Sequence, residues 1–189
     1  MTITFNNIKI FAFADTHGKH RQLEIPKNAN MLVCAGDVCN GGNGGQLDDF
    51  YAWFAAQPAK YKLFVPGNHD LPFDLNPKLA ALYIPQSVTY VESGGFRLGG
   101  IHFHVLPVRP WMHSQEAPQF FPRNVDVLVT HGAPLGILDT NAHLGCKILR
   151  NIVDKTQPKI HIFGHCHENG NQKTTIGNTT FYNVAIAEK

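Results

Sequence analysis

Met31-Leu-Val-Cys-Ala-Gly-Asp37-Val-Cys-Asn40 is the stretch around which the chain is organised. Met31 to Ala35 is an unbroken apolar run, and Gly36 and a lone carboxylate, Asp37, follow it. Such a run reads as a buried strand that ends in a tight turn, with the acid held over the carboxyl edge of a sheet. Other strand-like runs end in the same manner. Ile8–Ala14 leads into Asp15-Thr-His17, and Lys62–Val65 leads into Pro66-Gly-Asn-His-Asp70. Val125–Val129 leads into Thr130-His131-Gly132, and Ile160–Phe163 into Gly164-His-Cys-His167. Strand ends that all carry Asp, Asn or His at one edge describe a metal site, with Asp37 the candidate bridging carboxylate at its centre.

Between these runs the spacing predicts further elements. Lys19–Lys27 suits a short helix stopped by Pro26, and Gln46–Ala56 a longer one with Leu47, Phe50, Tyr51 and Phe54 on one face. Asn40-Gly-Gly-Asn-Gly-Gly45 is a wide turn; no Gly-Lys-Ser/Thr follows, so it is not a P-loop. Leu71–Asn76 reads as irregular, and Pro77–Leu82 as a short helix opened by proline. Val88–Glu92, Phe96–Leu98 and Gly100–Leu106 read as short strands, and Pro107–Pro122 as a proline-rich surface loop or partial lid. Ala142–Lys155 is expected as a helix with Leu144, Ile148 and Ile152 on one face. Lys173–Ile176 and Thr179–Val184 make a closing hairpin around Gly177-Asn178. Strands alternating with helices, then a series of hairpins, predict an α/β layered fold with mixed sheets: a two-sheet sandwich flanked by helices, in one domain over residues 1–189.

The bulk properties exclude several classes. Of 189 residues, 16 are Lys or Arg and 14 Asp or Glu, so the formal net charge of +2 argues against a nucleic-acid or anionic-membrane partner. No basic-then-apolar leader and no run of transmembrane length is present, so a cytoplasmic protein is expected. The four cysteines form no C-x-x-C pair and are not needed as staples; Cys34, in an apolar run, reads as a buried small hydrophobe, and Cys166 is expected to point away from the ligands beside it. Eleven histidines, by contrast, is a high count, and several stand at strand ends.

Asp15, His17, Asp37, Asn68, His131, His165 and His167 offer oxygen and nitrogen donors without thiolate, a set that suits Mn, Fe, Zn, Co or Mg. Two ions roughly 3.5–4 Å apart and bridged by one carboxylate lower the pKa of a shared water and neutralise phosphoryl oxygens. That chemistry suits in-line hydrolysis of a phosphate ester. His69 would then face substrate, binding the phosphate or protonating the leaving alcohol, with Asp70 orienting its ring.

Asp15-x-His17, Gly36-Asp37, Gly67-Asn68-His69-Asp70, His131 and Gly164-His165-x-His167, in this order, resemble the calcineurin-like metallophosphoesterase superfamily. Asn68-His-Asp-Leu-Pro-Phe-Asp74, Thr130-His-Gly-Ala-Pro-Leu-Gly136 with Asp139, and Gly145-Cys146 are similar to a subgroup with cyclic-nucleotide phosphodiesterase activity. The resemblance implies a four-layer α/β/β/α sandwich of two mixed sheets. It implies Asp15, His17, Asp37 and His167 on one metal, Asp37, Asn68, His131 and His165 on the other, and His69 as the catalytic histidine. Manganese is the expected metal. The pattern departs from the superfamily where Val38-Cys39-Asn40 stands in place of a second acid, where Thr130 precedes His131, and where Asp70 replaces the more usual Glu.

The remaining candidates carry plainer readings. His102 and His104 are expected to have a packing or surface role, and His161 to lie on a sheet face. Arg109 is a candidate phosphate contact, and a solvated loop arginine is the alternative. Trp111 and Phe120-Phe121 either stack a nucleobase or anchor the loop on the core; Asn40 either orients a ligand or binds substrate. The expected activity is a dinuclear-metal phosphodiesterase for small diesters such as cyclic nucleotides. A phosphomonoesterase is the runner-up and a non-enzymatic scaffold a third reading, which the complete ligand set disfavours.

Overall fold

In the computed structural model, which describes residues 1–118 and 120–186, strand β3 (Met31–Cys34) is inaccessible along its whole length. An apolar strand buried on both faces is what a central parallel strand needs. Strand β2 (Ile8–Phe13) flanks it on one side and β4 (Tyr61–Phe64) on the other, both parallel to it. The first sheet runs β1-β2-β3-β4-β5, with β1 at Thr2–Phe5 and β5 at Thr89–Tyr90. The second sheet runs β10-β11-β9-β8-β7-β6. Its strands are β6 (Gly94–Leu98), β7 (Ile101–Val105), β8 (Val127–Val129), β9 (Ile160–Phe163), β10 (Gln172–Ile176) and β11 (Thr179–Asn183). Strands β7, β8, β9 and β11 are parallel; the outer hairpins β6–β7 and β10–β11 are antiparallel.

Alternation along these strands builds the layers. Ile10, Met31, Val33 and Leu63 from the first sheet meet Ile101, Phe103, Val127 and Ile160 from the second, closing a dry inter-sheet core. Phe13, Leu32, Cys34 and Phe64 point the other way, onto Leu47, Phe50, Tyr51 and Phe54 of helix α1 (Gly44–Ala55). Leu128, Phe163 and Phe181 leave the second sheet's far face for Leu149 and Val153 of a later helix, Lys147–Thr156. These are the four layers, helix, sheet, sheet, helix, expected from the motif pattern. Where the strands end, the sheets touch: Ala14 N–H donates to the Val184 carbonyl at 3.1 Å, and Ile186 N–H returns to the Ala14 carbonyl at 3.2 Å.

The helices α2 (Pro72–Leu75) and α3 (Pro77–Ala81) complete the first sheet's outer side, and the Lys147–Thr156 helix is α4. Several elements differ from the sequence expectation. Strand β1 is additional: Asn6 and Asn7, at φ 47° and 63°, make the tight turn that pairs it with β2. Lys19–Lys27 supplies only a 3₁₀ turn at His20–Gln22, and Leu71–Asn76 contains α2 rather than irregular chain. The last helix starts at Lys147, not Ala142, and turns Leu149 and Val153 inward instead of a stripe through Leu144. Asp139 is the reason. Its carboxylate accepts from Gly136 and Gly145 N–H, both at 3.0 Å, which holds 139–146 as a loop.

Phe50 is wholly buried in the helix–sheet layer, while Leu82 is 79% exposed. Phe50→Ala is expected to lower the unfolding free energy by about 3–5 kcal/mol, and Leu82→Ala by under about 0.5 kcal/mol. Urea titrations that gave both variants the same midpoint would contradict this layering.

Candidate metal centre

Every strand that ends at this edge turns sharply, and at four positions the turn is made by the functional residue itself. Asp15, His17, Asp37 and His165 have φ of 59°, 44°, 55° and 64°. Asp and His tolerate the left-handed region better than most residues, yet each such residue stores strain that the surroundings must offset. Gly36 has φ 98°, and a Cβ there would stand 2.7 Å from His131 Nδ1 and 2.5 Å from Gly67 N. Only glycine allows the two turns and the histidine ring to approach this closely.

Asp70 fastens the turns together. Its wholly buried carboxylate accepts from Asp37 N–H (2.9 Å), Val38 N–H (3.0 Å), Cys39 N–H (3.3 Å) and Gly67 N–H (2.9 Å). Burial pushes its pKa up to about 6 against the pull of those donors, so it is a carboxylate at neutral pH. Sequence reasoning assigned Asp70 the task of orienting the His69 ring; its oxygens are instead taken up by backbone of the 37–39 and 67 turns. His69 is held through its backbone, with N–H donating to Asp37 Oδ1 at 2.8 Å, and its side chain is exposed.

Two groups of candidate ligands result. In one, Asp15, His17 and His167 bring donor atoms within 4.8 Å of each other; in the other, Asp37, His131 and His165 do the same. His165 and His167 share a loop yet serve different groups. Asp15 crosses between the sheets, accepting from His165 N–H at 2.9 Å. Asn68 joins the second group, with Oδ1 3.0 Å from His131 Nε2. The His17 ring lies 5.0 Å from the exposed His69 ring and 5.5 Å from that of His167.

The donor chemistry fits divalent ions. His131 Nδ1 lies 2.7 Å from the Ala35 carbonyl and must donate to it, which leaves Nε2 facing Asp37 Oδ2 at 3.3 Å and Asn68 Oδ1. A ring nitrogen opposed to two oxygens calls for a positive charge between them, a proton here or a divalent ion in its place, and a backbone partner on the other nitrogen is the usual way to aim a metal-binding imidazole. Burial works against charge on His131, but Asp37 beside it outweighs that and holds the ring's pKa high. Burial likewise opposes charge on Asp37, and His131 with the His69 N–H outweighs it, keeping that carboxyl ionised. Burial, reinforced by His131, pushes His165 down to about 4, so its ring is neutral with a lone pair to give.

The calcineurin-like phosphoesterase model matches residues 8–169. The chain belongs to this family. It is 32% identical to the UPF0046 protein K07C11.7 of Caenorhabditis elegans, covering 96% of this chain and 71% of that one. It is 28% identical to the human metallophosphoesterase domain-containing protein 1, covering 92% of this chain and 64% of that protein. The protein TT1561 of Thermus thermophilus superposes with a TM-score of 0.66 at 14% identity, over 92% of this chain and 87% of that one. The phosphopantetheinyl hydrolase PptH of Mycobacterium tuberculosis gives 0.59, also at 14%, over 94% and 89%. These two show the fold.

Arg109, the candidate phosphate contact, is paired with carboxylates. Its Nε donates to Asp74 Oδ1 at 3.0 Å and its Nη2 to Glu92 Oε1 at 2.7 Å, so two carboxylates neutralise it. His161 packs as expected on the outer face of the second sheet, between Phe163 and Phe181, with Nε2 2.9 Å from Thr130 Oγ1. His104 rests on Phe121, their ring centroids 4.4 Å apart, and His102 Nδ1 is 2.7 Å from the Asn124 carbonyl. Asn40 Nδ2 donates to the His17 carbonyl at 3.3 Å. With His17, Lys19 and His69 it lines an open cleft of about 410 Å³, in which Lys19 had drawn no notice from sequence. Asn183 was also unremarked: its Nδ2 donates to the Cys166 carbonyl at 2.8 Å, steadying the loop that carries both histidines. An asparagine closing a strand carries no sequence signal for such a role.

Asp70→Asn replaces one acceptor oxygen of the clamp with a donor that faces backbone N–H groups. It is expected to lower the unfolding free energy of metal-free protein by about 3 kcal/mol. His69→Ala, at an exposed side chain, is expected to change it by under about 0.5 kcal/mol. Equal denaturation midpoints for the two variants would count against the clamp.

Proposed function

We propose that the protein is a metal-dependent phosphodiesterase acting on small diesters, cyclic nucleotides among them. The observation that carries this reading is the pair of ligand triads, Asp15–His17–His167 and Asp37–His131–His165, with an exposed histidine beside them. In this reading the first triad would hold one divalent ion and the second, with Asn68, another, and Asp37 would serve both. Two ions so held, manganese being the expected metal, supply the Lewis acidity that activates water and offsets charge on the phosphoryl oxygens. The chain's own residues do the rest. His131 and Asn68 keep the second triad aligned through the Ala35 carbonyl and each other. Asn40 steadies the backbone of His17. The His69 ring stands in the cleft with its backbone tied to Asp37, where it gives a proton to the departing alkoxide oxygen.

Charge supports the diester over the monoester. A phosphate monoester is dianionic near neutral pH and calls for additional fixed positive charge. Arg109 is spent on Asp74 and Glu92, which leaves Lys19 as the cation lining the cleft. The complete ligand set speaks against a purely structural role.

After removal of metal by chelation, Mn²⁺ titration by calorimetry is expected to show two equivalents bound. Turnover of bis(p-nitrophenyl) phosphate should return with the metal and exceed that of p-nitrophenyl phosphate. His69→Ala should bind both ions and lose roughly 100-fold or more in kcat, while Asp37→Ala should lose metal. Faster turnover of the monoester would overturn the diester assignment, and absence of metal binding would overturn the whole reading.

A further inference from the structure

Trp111 occupies an unusual position for a tryptophan: the residue is 55% exposed, yet its segment is tied down by several contacts. That segment leaves β7 and is fixed first by backbone. Gly132 N–H donates to the Val108 carbonyl at 2.8 Å, and the Pro110 backbone lies so close against Gly132 that no side chain fits there. The preceding Arg109 is gripped by Asp74 and Glu92 from the first sheet's side. On the opposite side, Trp111 Nε1 donates to the Leu144 carbonyl at 2.7 Å. The indole's single polar atom is therefore satisfied, and its orientation is set.

The exposed indole lies at the rim of the candidate metal centre. Its centroid is 6.5 Å from the His165 ring, at 72° to it. Phe121, the loop's other aromatic near the fold, is an anchor, because it rests on His104. Phe120 lines a separate cavity with Ile148, Asn151 and Lys155 of α4. Trp53, the second tryptophan, packs among Phe13, His20, Phe50 and Phe54. Trp111 alone of these aromatics is held rigid and presented beside the ligand groups. An immobilised, half-exposed indole has a π face to offer and little ordering cost left to meet on binding.

We infer that Trp111 is a specificity-determining residue, a stacking platform for a planar ring attached to the phosphoryl group. The inference rests on the phosphoesterase reading of the site. The phosphoryl group lies at the two triads, and an aryl ring or a nucleobase lies over the indole beside His165. His69 stands on the His17 side, by the other triad. Esters with a planar ring are thereby preferred over esters of simple alkyl alcohols.

The test uses phosphonates, which cannot be hydrolysed, on Mn²⁺-loaded protein, with binding followed by calorimetry. The ligands are ethylphosphonate, benzylphosphonate and the methylene-phosphonate isostere of AMP. Base–aromatic stacking predicts that at least one ring-bearing ligand binds on the order of 10-fold more tightly than ethylphosphonate. Benzylphosphonate and the AMP isostere show whether an aryl ring or a nucleobase is preferred. The margin should vanish in Trp111→Ala, stay absent in Trp111→Leu, which restores apolar bulk without a π face, and return in part in Trp111→Phe. All three variants should still take up the wild-type number of Mn²⁺ ions. Equal affinities in the wild type, or a margin that survives Trp111→Ala, would overturn the platform and leave the phosphoesterase standing. Failure of all three phosphonates to bind would also overturn the platform, whereas failure of the wild type to take up Mn²⁺ would overturn the phosphoesterase reading beneath it.

Discussion

The Asp70 carboxylate is the constraint on which the site depends. It is inaccessible to water and satisfied by four backbone N–H groups from the ends of two neighbouring strands. A buried carboxylate is costly unless donors surround it, and buried N–H groups are costly unless acceptors meet them. Here each settles the other's need. The consequence is geometric: the turn after β3 and the turn after β4 cannot move independently. Asp37, His69 and Asn68 ride on those turns, and Asp37 Oδ1 and the His69 N–H close a second tie between them.

A further set of ties spans the sheets. His131, from the end of β8, donates to the Ala35 carbonyl at the end of β3, and Asp15, from the end of β2, accepts from His165 after β9. Each triad therefore draws ligands from both sheets. Neither sheet alone carries a complete group, so the site exists only when the inter-sheet core has closed. The left-handed backbone at Asp15, His17, Asp37 and His165 fits this picture. Strain concentrated at four donor residues persists because the core and the interlocked turns over-determine their positions.

Much of this was legible in the chain. Long buried strands announce themselves as apolar runs, and a ligand that follows a strand lands at the sheet's edge wherever the strand is parallel to its neighbours. That logic placed all seven metal-ligand candidates in one region. Local patterns without such support misled. Leu144, Ile148 and Ile152 have helical spacing, but the Asp139 carboxylate captures the Gly136 and Gly145 N–H groups and delays α4 by about a turn. For Arg109 the sequence left a phosphate contact and a loop arginine both open; Asp74 and Glu92, 35 and 17 residues away, take its charge. Partners that remote leave no mark in a local pattern.

Which residues can ligate, that they follow strands, and that helices lie outside two sheets are all written in the order of residues along the chain. These are consequences of hydrophobic period and donor chemistry, both carried by neighbouring residues. The capture of Asp70 by backbone, the neutralisation of Arg109 and the presentation of Trp111 came only with the folded molecule. Each of these depends on atoms brought within about 3 Å across the gap between turns or between sheets, where hydrogen bonds are directional and short. Chain order encodes which groups are present; the packing of the two sheets decides which of them meet.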